Sequence, residues 1–490
     1  MSALHQKDSY KVSHKDQYAA GTTEIYSNFT ARSGKNQNVP TDGVTFIGLQ
    51  YFMVDYLIEE WNQTFFYKPI DKVVNKYRRR VSNIVGYDVN VDHIRALHKL
   101  GYLPIEIKAL PEGSHVPYGV PMLTIKNTAP DFFWVTNMLE SVLSAELWMP
   151  ITSATTYTAY RKLGLRYAEM TGADKEFVRF QFHDFSYRGM AGRHAAATSG
   201  FAVLAAGSYG TDNIPAIDIA EDYYYANADT EIIGVSVPAT EHSVMCSGTK
   251  EDEFHTYERL ITEIYPSGMV SIVSDTWDFW QVVTDYLPRL KDVIMSRDGK
   301  VIIRPDSGDP VDILCGTKFT FQKGETPEEK GLIQCLWEIF GGTMTDKGYK
   351  VLDQHIGAIY GDSITYKRAE EIFDRLEQKG FASNNVVLGV GSFTYQYVTR
   401  DTHGMAMKST NAVINGVQTP IFKDPKTDNG IKKSAKGLLM VTRTGDKYEL
   451  VDQVSVDQER HGCLETVFKD SQIVKQTSLA EIRAIVDKGV

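Results

Sequence analysis

Between Phe180 and Ser392 the chain repeats one device, a short β-branched or aromatic run that ends on a residue able to do chemistry. The runs are Phe180-Gln181-Phe182-His183-Asp184, Val235-Ser236-Val237 leading to Glu241-His242, Ser271-Ile272-Val273-Ser274-Asp275, Val301-Ile302-Ile303-Arg304-Pro305-Asp306, Ala358-Ile359-Tyr360-Gly361-Asp362 and Val386-Val387-Leu388-Gly389-Val390-Gly391. Their reactive ends recur roughly every 30 residues, about one strand-loop-helix-loop unit of a parallel α/β barrel. One interval, from Asp306 to Asp362, is longer. In a parallel barrel every strand delivers its C-terminal end to the same mouth. Asp184, His242, Asp275, Arg304, Asp306 and Asp362 are thereby expected to converge on one site. This is the pattern of an enzyme.

At 490 residues the chain exceeds one small core, so two domains or an elaborated barrel are expected. Three stretches are distinguished: 1–150, an N-terminal α/β domain; 151–399, the barrel; and 400–490, a basic segment and C-terminal part that packs on the first. A net charge of −10 argues against nucleic acid as a general partner, because a phosphate backbone demands a basic face. Cys246, Cys315, Cys335 and Cys463 show no CxxC pairing or ligand-like grouping and suit free thiols in a reducing cytoplasm; Cys246 reads as a packed thiol. The segment Met1 to Asp8 lacks the apolar core of a secretory signal, and no run approaches the ~20 apolar residues that span a bilayer.

Local signals refine this outline. Ile105 to Leu110 and Val120 to Ile125 alternate with period two around a turn at Pro111-Glu112-Gly113, which predicts paired strands. Apolar spacing predicts one helix from Phe132 to Leu147 and a second from Thr156 to Met170. Asp362-Ser363 is placed as the cap of a helix carrying Ile364, Ala369, Ile372, Phe373 and Leu376 and ending at Lys379-Gly380. Lys323 to Lys350 reads as a charged insertion, and Ser478-Leu479-Ala480-Glu481 as a capping box. From Arg400 to Arg443 the charge inverts: Arg400, Lys408, Lys423, Lys426, Lys432, Lys433, Lys436 and Arg443 face only Asp401, Asp424 and Asp428. Two readings stand, a solvated lysine-rich loop or a lid that neutralises a polyphosphate.

Several motifs occur together and in a fixed order. They are Asp8-Ser9-Tyr10-Lys11-Val12, His183-Asp184-Phe185-Ser186-Tyr187-Arg188-Gly189, Ser236 to Ser243, Asp275-Thr276-Trp277-Asp278, Arg304-Pro305-Asp306-Ser307-Gly308-Asp309-Pro310, Gly361-Asp362-Ser363 and Phe422-Lys423-Asp424-Pro425. With them the chain closely resembles the nicotinamide phosphoribosyltransferases, over essentially its whole length. The resemblance implies a type II phosphoribosyltransferase: an irregular (β/α) barrel plus an N-terminal α/β domain completed by C-terminal segments, as a homodimer with shared active sites. It implies transfer from phosphoribosyl pyrophosphate to nicotinamide in NAD biosynthesis, with Mg²⁺ and with coupled ATP hydrolysis.

The same resemblance distributes roles. Phe185 and Tyr10 of the partner subunit would sandwich the pyridine ring. Asp212 would accept a hydrogen bond from the nicotinamide amide and repel nicotinate. Arg188 would contact the base amide or the nearby phosphates, and Arg304 would line the same pocket. His242 would be phosphorylated by ATP, oriented by Asp275 and assisted by Glu241. Asp306 would hold the ribose hydroxyls or a metal-bound water. Gly361, Asp362, Gly391 and Ser392 would approach the ribose and its 5′-phosphate, where a missing Cβ permits close contact. Arg400, Lys408, Lys423 and Lys432 would come from the second subunit to bind phosphates. No residue is assigned as a direct metal ligand.

Some positions depart from the family pattern. Val390 interrupts a glycine run, Ala406 stands where relatives can carry serine, and Val235 stands where a tyrosine is expected. Alternative readings are a nicotinate phosphoribosyltransferase, a non-catalytic nucleotide-binding relative, and a metal-dependent barrel hydrolase. The last leaves the basic segment and the aromatic pair unexplained.

Overall fold

The computed structural model describes residues 1–318, 326–361, 363–422 and 435–490, which form two compact units. Asp362, Lys423, Lys426, Lys432 and Lys433 lie outside the described residues. The first unit comprises Met1–Thr155, Asp218–Asn227 and Val398–Gly489. The second comprises Thr156–Ile217 and Ala228–Tyr397, with Val490.

The first unit is built on an antiparallel sheet that needs both ends of the chain. The alternation around the Pro111–Gly113 turn yields strands Ile105–Ala109 and Pro121–Asn127, paired with Ile107 opposite Ile125. Strand Thr22–Thr30 lies beside the second of these. Ala406–Ile414 and Val417–Pro420 extend the sheet on one side, and Glu465–Lys469 with Gln472–Ile473 extends it on the other. Every ladder in this sheet is antiparallel, so one face can be buried while the other stays polar. Phe29, Ile105, Ile107, Leu123, Ile125, Met407 and Phe468 are buried in one apolar cluster with Phe52, Trp61 and Phe65 from the helical stretch before it. The C-terminal helix Leu479–Gly489 starts on the expected capping box: Ser478 Oγ accepts the Glu481 N–H at 3.2 Å, and the Glu481 carboxylate accepts the Ser478 N–H at 2.8 Å.

The second unit contains a parallel sheet in the order Phe182–Asp184, Val386–Val390, Ile356–Tyr360, Val301–Arg304, Val270–Val273. Isolated parallel bridges continue from Asp184 to Thr211, from Gly210 to Val235 and from Ala239 back to Ser271. The pairings therefore return to the strand at the far side of the sheet, in the manner of an irregular barrel. The Val235 run makes single bridges rather than a ladder, because Pro238 has no N–H to donate. Phe180 and Gln181 belong to a helical turn, Val178–Gln181, so the first strand begins only at Phe182.

Several local expectations are corrected. The two helices predicted between Phe132 and Met170 are a turn and short helix, Pro130–Phe132 and Phe133–Met138, followed by one long helix, Glu140–Thr171. Pro150 lies inside it, yet Thr152 and Thr155 return hydroxyl hydrogen bonds to the carbonyls of Trp148 and Ile151, at 2.7 and 2.6 Å. The helix Tyr366–Gln378 is capped by Thr365, whose side chain accepts the Arg368 N–H, and not by Asp362-Ser363. Its apolar face, Ala369, Ile372, Phe373 and Leu376, is buried as predicted. The supposed insertion contains a core helix, Leu332–Phe340, with Leu332, Ile333, Leu336 and Phe340 buried. Cys246 is exposed rather than packed, since only Met245 of its short helix His242–Ser247 is buried. All four cysteines are free thiols. Among the described residues no helix is long and apolar enough to cross a membrane.

A buried carboxylate pins one corner of the first unit. Glu112, in the strand turn, accepts the N–H groups of Gly48 and Gln50 at 2.5 and 2.7 Å and the Tyr224 hydroxyl at 3.2 Å. It thereby caps the helical stretch that starts at Leu49, where the peptide dipoles favour negative charge. Burial raises the Glu112 pKa, and the backbone donors oppose that rise. Glu112→Ala strands these donors in the interior and is expected to cost about 3–5 kcal/mol. A lowered midpoint in urea unfolding checks this; an unchanged midpoint rejects it.

Candidate active site

The strand ends of the second unit carry the reactive residues, and close polar contacts gather them into one group around Asp275 and another around Asp212. Asp275 follows the strand Val270–Val273 and is buried, its side chain 5% exposed. Its Oδ1 lies 3.8 Å from Nε2 of His242, while its Oδ2 accepts the Asp306 N–H at 3.0 Å and the Ser307 hydroxyl at 2.5 Å. His242, half-exposed, opens the helix His242–Ser247, and its Nδ1 is 3.2 Å from the Thr276 hydroxyl. Nε2 faces the Asp275 carboxylate beyond hydrogen-bond distance, while Nδ1 is within hydrogen-bond distance of the Thr276 hydroxyl. Glu241 accepts the Ser243 hydroxyl.

Arg304, at the end of Val301–Arg304, crosses to the same segment. One guanidinium N–H donates to the Thr240 carbonyl at 2.5 Å, and Nε stands 3.7 Å from the Asp306 carboxylate. Thr240 is fixed in turn, since its hydroxyl oxygen accepts the Val273 N–H at 2.9 Å. The Asp306 carboxylate lies against Gly361, where a Cβ would stand 2.4 Å from it.

Phe185 follows the strand Phe182–Asp184, anchored by its N–H to the Val390 carbonyl at 3.1 Å. Its ring occupies space that two glycines leave open: a Cβ on Gly389 would stand 2.3 Å from it, and one on Gly361 3.6 Å. His183 tilts against Phe185 with ring centres 4.8 Å apart and reaches Asp212 through Nε2 at 2.9 Å. The Ser236 hydroxyl donates to the same Asp212 oxygen at 2.5 Å. Burial works against the Asp212 charge, but the His183 contact, the Ser236 hydroxyl and the field of Arg304 outweigh it and hold the carboxyl below its usual range. The result is an ionised carboxylate beside an aromatic ring.

The other predicted residues lie on adjoining turns, in the first unit or outside the described residues. Ser392 begins the short helix Ser392–Tyr395 and abuts Gly189, where a Cβ would stand 2.5 Å from the serine Cβ. Gly391, just before it, has open space where a Cβ would be, and Arg188 is exposed in the turn Tyr187–Gly189. Tyr10, Arg400 and Lys408 belong to the first unit and are exposed. Tyr10 packs on His14, Arg400 lies 3.5 Å from Asp401, and Lys408 sits on the strand opposite Asn28. Asp362, Lys423 and Lys432 are outside the described residues.

Comparison with known proteins decides the family. Residues 180–472 match the model of the nicotinate phosphoribosyltransferase family, and residues 2–107 match that of the nicotinamide phosphoribosyltransferase N-terminal domain. The nicotinamide phosphoribosyltransferase of Acinetobacter baylyi is 52% identical over 99% of this chain and 96% of its own length. The chain belongs to the nicotinamide and nicotinate phosphoribosyltransferase family. It is an enzyme of the pentosyltransferase class.

More distant relatives agree with this family. The nicotinamide phosphoribosyltransferase of Mycoplasma pneumoniae is 33% identical over 86% of the chain and 92% of its own length. The crystal structure of human nicotinic acid phosphoribosyltransferase superposes with a TM-score of 0.56 at 16% identity, covering 98% of this chain and 93% of that one. It supports the fold.

Among the members of the site not singled out from the sequence of this phosphoribosyltransferase are His183, Thr276 and Ser307. His183 had a usable signal, because it lies two residues before Phe185 and so on the same side of an extended run. Thr276 and Ser307 act through partners 34 and 32 residues away, which spacing alone does not reveal. The glycine clearance around Phe185 is directly testable. Gly389→Ala forces the ring or its neighbours to move, and transfer efficiency is expected to fall roughly 10–100-fold with the fold intact. Steady-state kinetics beside far-UV circular dichroism measure both; wild-type kinetics would reject the crowding argument.

Proposed function

We propose that this phosphoribosyltransferase joins nicotinamide to the 5-phosphoribosyl group of phosphoribosyl pyrophosphate, releasing pyrophosphate and forming nicotinamide mononucleotide for NAD biosynthesis. The observation that carries the choice of base is the ionised Asp212 carboxylate, two contacts from the Phe185 ring through His183. A carboxylate there accepts from the amide N–H₂ of nicotinamide. It repels the carboxylate of nicotinate, at a cost of several kcal/mol when like charges are placed together in a desolvated pocket. The bond from the ribose anomeric carbon to pyrophosphate breaks as the pyridine nitrogen bonds to that carbon, through a state with oxocarbenium character. Asp306, set between Arg304 and Gly361, is the carboxylate assigned to the ribose hydroxyls. Phe185 holds one face of the pyridine, and Arg188, Gly391 and Ser392 are assigned to the phosphate side, with Gly361 allowing close approach.

The reading extends to energy coupling. His242, oriented by Asp275, attacks the γ-phosphorus of ATP, so a phosphohistidine forms as ADP leaves. The half-exposed imidazole and the adjacent Asp275 carboxylate support this assignment. Among the described residues no group of three His, Cys, Asp or Glu side chains is arranged to hold a metal. The Mg²⁺ of this reading keeps waters and phosphate oxygens and asks for one or two carboxylates. Asp275 and Asp306 would hold it here, where it would neutralise the pyrophosphate leaving group. The proposed working form is a cytoplasmic homodimer. Tyr10, Arg400, Lys408, Lys423 and Lys432 of the partner subunit would complete each site against the base and the phosphates.

The rival reading, nicotinate as the base, is favoured by the name of the family model over residues 180–472. Product identification with each base separates the two. Nicotinamide is expected to be preferred, and Asp212→Ser to relax that preference by roughly 10–100-fold in the ratio of kcat/KM values. A wild-type preference for nicotinate would overturn the proposal. For the energetic part, His242→Ala is expected to abolish ATP hydrolysis while leaving slow ATP-independent transfer. Phosphate release measured against nucleotide formed tests this, and unchanged ATP turnover would remove His242 from its role.

A further inference from the structure

The first unit carries a charge imbalance that the strand-end site does not use. Between Lys68 and Lys99 eight lysines and arginines stand against three aspartates, in a chain whose net charge is −10. Two of those aspartates are already paired, Asp71 with Arg95 at 2.8 Å and Asp88 with Arg78. The third, Asp92, accepts the side-chain amide of Asn90 at 3.0 Å. Lys68, Lys72, Lys76, Arg79, Arg80 and Lys99 have no ion pair among the described residues. Lys68, Lys72 and Lys76 are all exposed.

On the helix Ile70–Val85 this arrangement is unfavourable by itself. Lys72, Lys76 and Arg80 follow one another at four-residue steps, so like charges are neighbours along one side of the helix and repel. A solvated helix face ordinarily sets carboxylates at those steps. The apolar side, Val73, Val74, Tyr77 and Val81, is already packed into the core cluster, which leaves no apolar face to insert into a bilayer. The positive field reaches the neighbouring segment. Burial, and then the charges of Arg80, Lys76 and Lys7, push the His5 imidazole down to about 4. That ring stacks on Tyr77 of the same helix with centres 5.8 Å apart.

A pocket of about 250 Å³ lies at the start of this helix, with Lys68, Lys72 and Lys76 in its wall beside Ser2, Thr64 and Val73. Thr64 is held in place: its Oγ1 accepts the Ala3 N–H at 2.9 Å and its hydroxyl donates to the Glu60 carbonyl at 2.7 Å. Pro69 gives the helix no side-chain cap, so the peptide dipoles of the first turn add to the lysine charges. The volume is below the roughly 300–1,000 Å³ of pockets for drug-sized ligands, which suits a compact occupant. We propose that Lys68, Lys72 and Lys76 form a binding site, made by the first unit alone, for a small soluble anion of the phosphate or diphosphate class. Its oxygens accept charge-assisted hydrogen bonds from the ammonium groups and relieve their mutual repulsion.

Isothermal titration of the full chain with inorganic pyrophosphate, in buffer without Mg²⁺, counts the equivalents bound per chain and their affinity. The double variant Lys72→Gln with Lys76→Gln is expected to weaken one equivalent roughly 10–100-fold, with kcat/KM for transfer unchanged. Lys72→Arg with Lys76→Arg, which keeps the charges, is expected to retain that equivalent. Arg79→Gln with Lys99→Gln removes the same charge outside the pocket and is expected to bind as wild type does. Equal number and affinity in wild type and the Lys72/Lys76 glutamine variant overturn the proposal. So does an equal loss in the Arg79/Lys99 variant, which marks diffuse attraction to a basic surface. A matching fall in kcat/KM would place the lost equivalent in the strand-end site and overturn it as well.

Discussion

Parallel pairing is the constraint from which the site of the second unit follows. When neighbouring strands run the same way, their C-terminal ends emerge at one edge, and each connection must return over the outside. Asp184, Asp275, Arg304 and Gly361 sit at or just beyond such ends. Residues more than 170 positions apart in sequence, Phe185 and Gly361 among them, come within van der Waals reach with no local signal requiring it. An antiparallel arrangement of the same runs would have sent half of these side chains to the opposite edge.

Within that edge two physical devices operate. The first is clearance: Gly389 and Gly361 leave the volume that the Phe185 ring and the Asp306 carboxylate fill, so an aromatic face is offered without pushing the strands apart. The second is charge balance. Asp212 stays ionised in a half-buried place because His183, Ser236 and Arg304 more than offset the cost of burial. Arg304 also grips the Thr240 carbonyl and faces Asp306, so one cation steadies several parts of the site. These arrangements are what a base-selective transferase of this family needs, and they are the physical support for the proposed choice of nicotinamide.

The first unit obeys a different rule. Its sheet is antiparallel and is assembled from segments near both chain termini, with Ala406–Ile414 beside Thr22–Thr30 and Glu465–Lys469 beside Ile105–Ala109. Neither half alone can satisfy the edge N–H and C=O groups of the central strands. Glu112 adds a local lock by capping the helical stretch that follows Gly48.

By itself the sequence determined the elements whose signals are local. Period-two alternation marked the hairpin of Ile105 to Asn127, Ser478 and Glu481 marked the last helix, and apolar spacing marked the buried face of Tyr366–Gln378. The reactive strand ends and the family motifs were legible for the same reason, since each is contiguous. Tertiary structure alone decided the rest. One helix runs through Pro150 to Thr171, where apolar spacing predicts two. Thr365 took the cap expected of Asp362-Ser363. Ser307 and His183 joined the site only when a carboxylate from a distant segment came to meet them. A side chain's chemistry is written in its own position, but its partner is chosen by how the strands pair, and no stretch of sequence contains both.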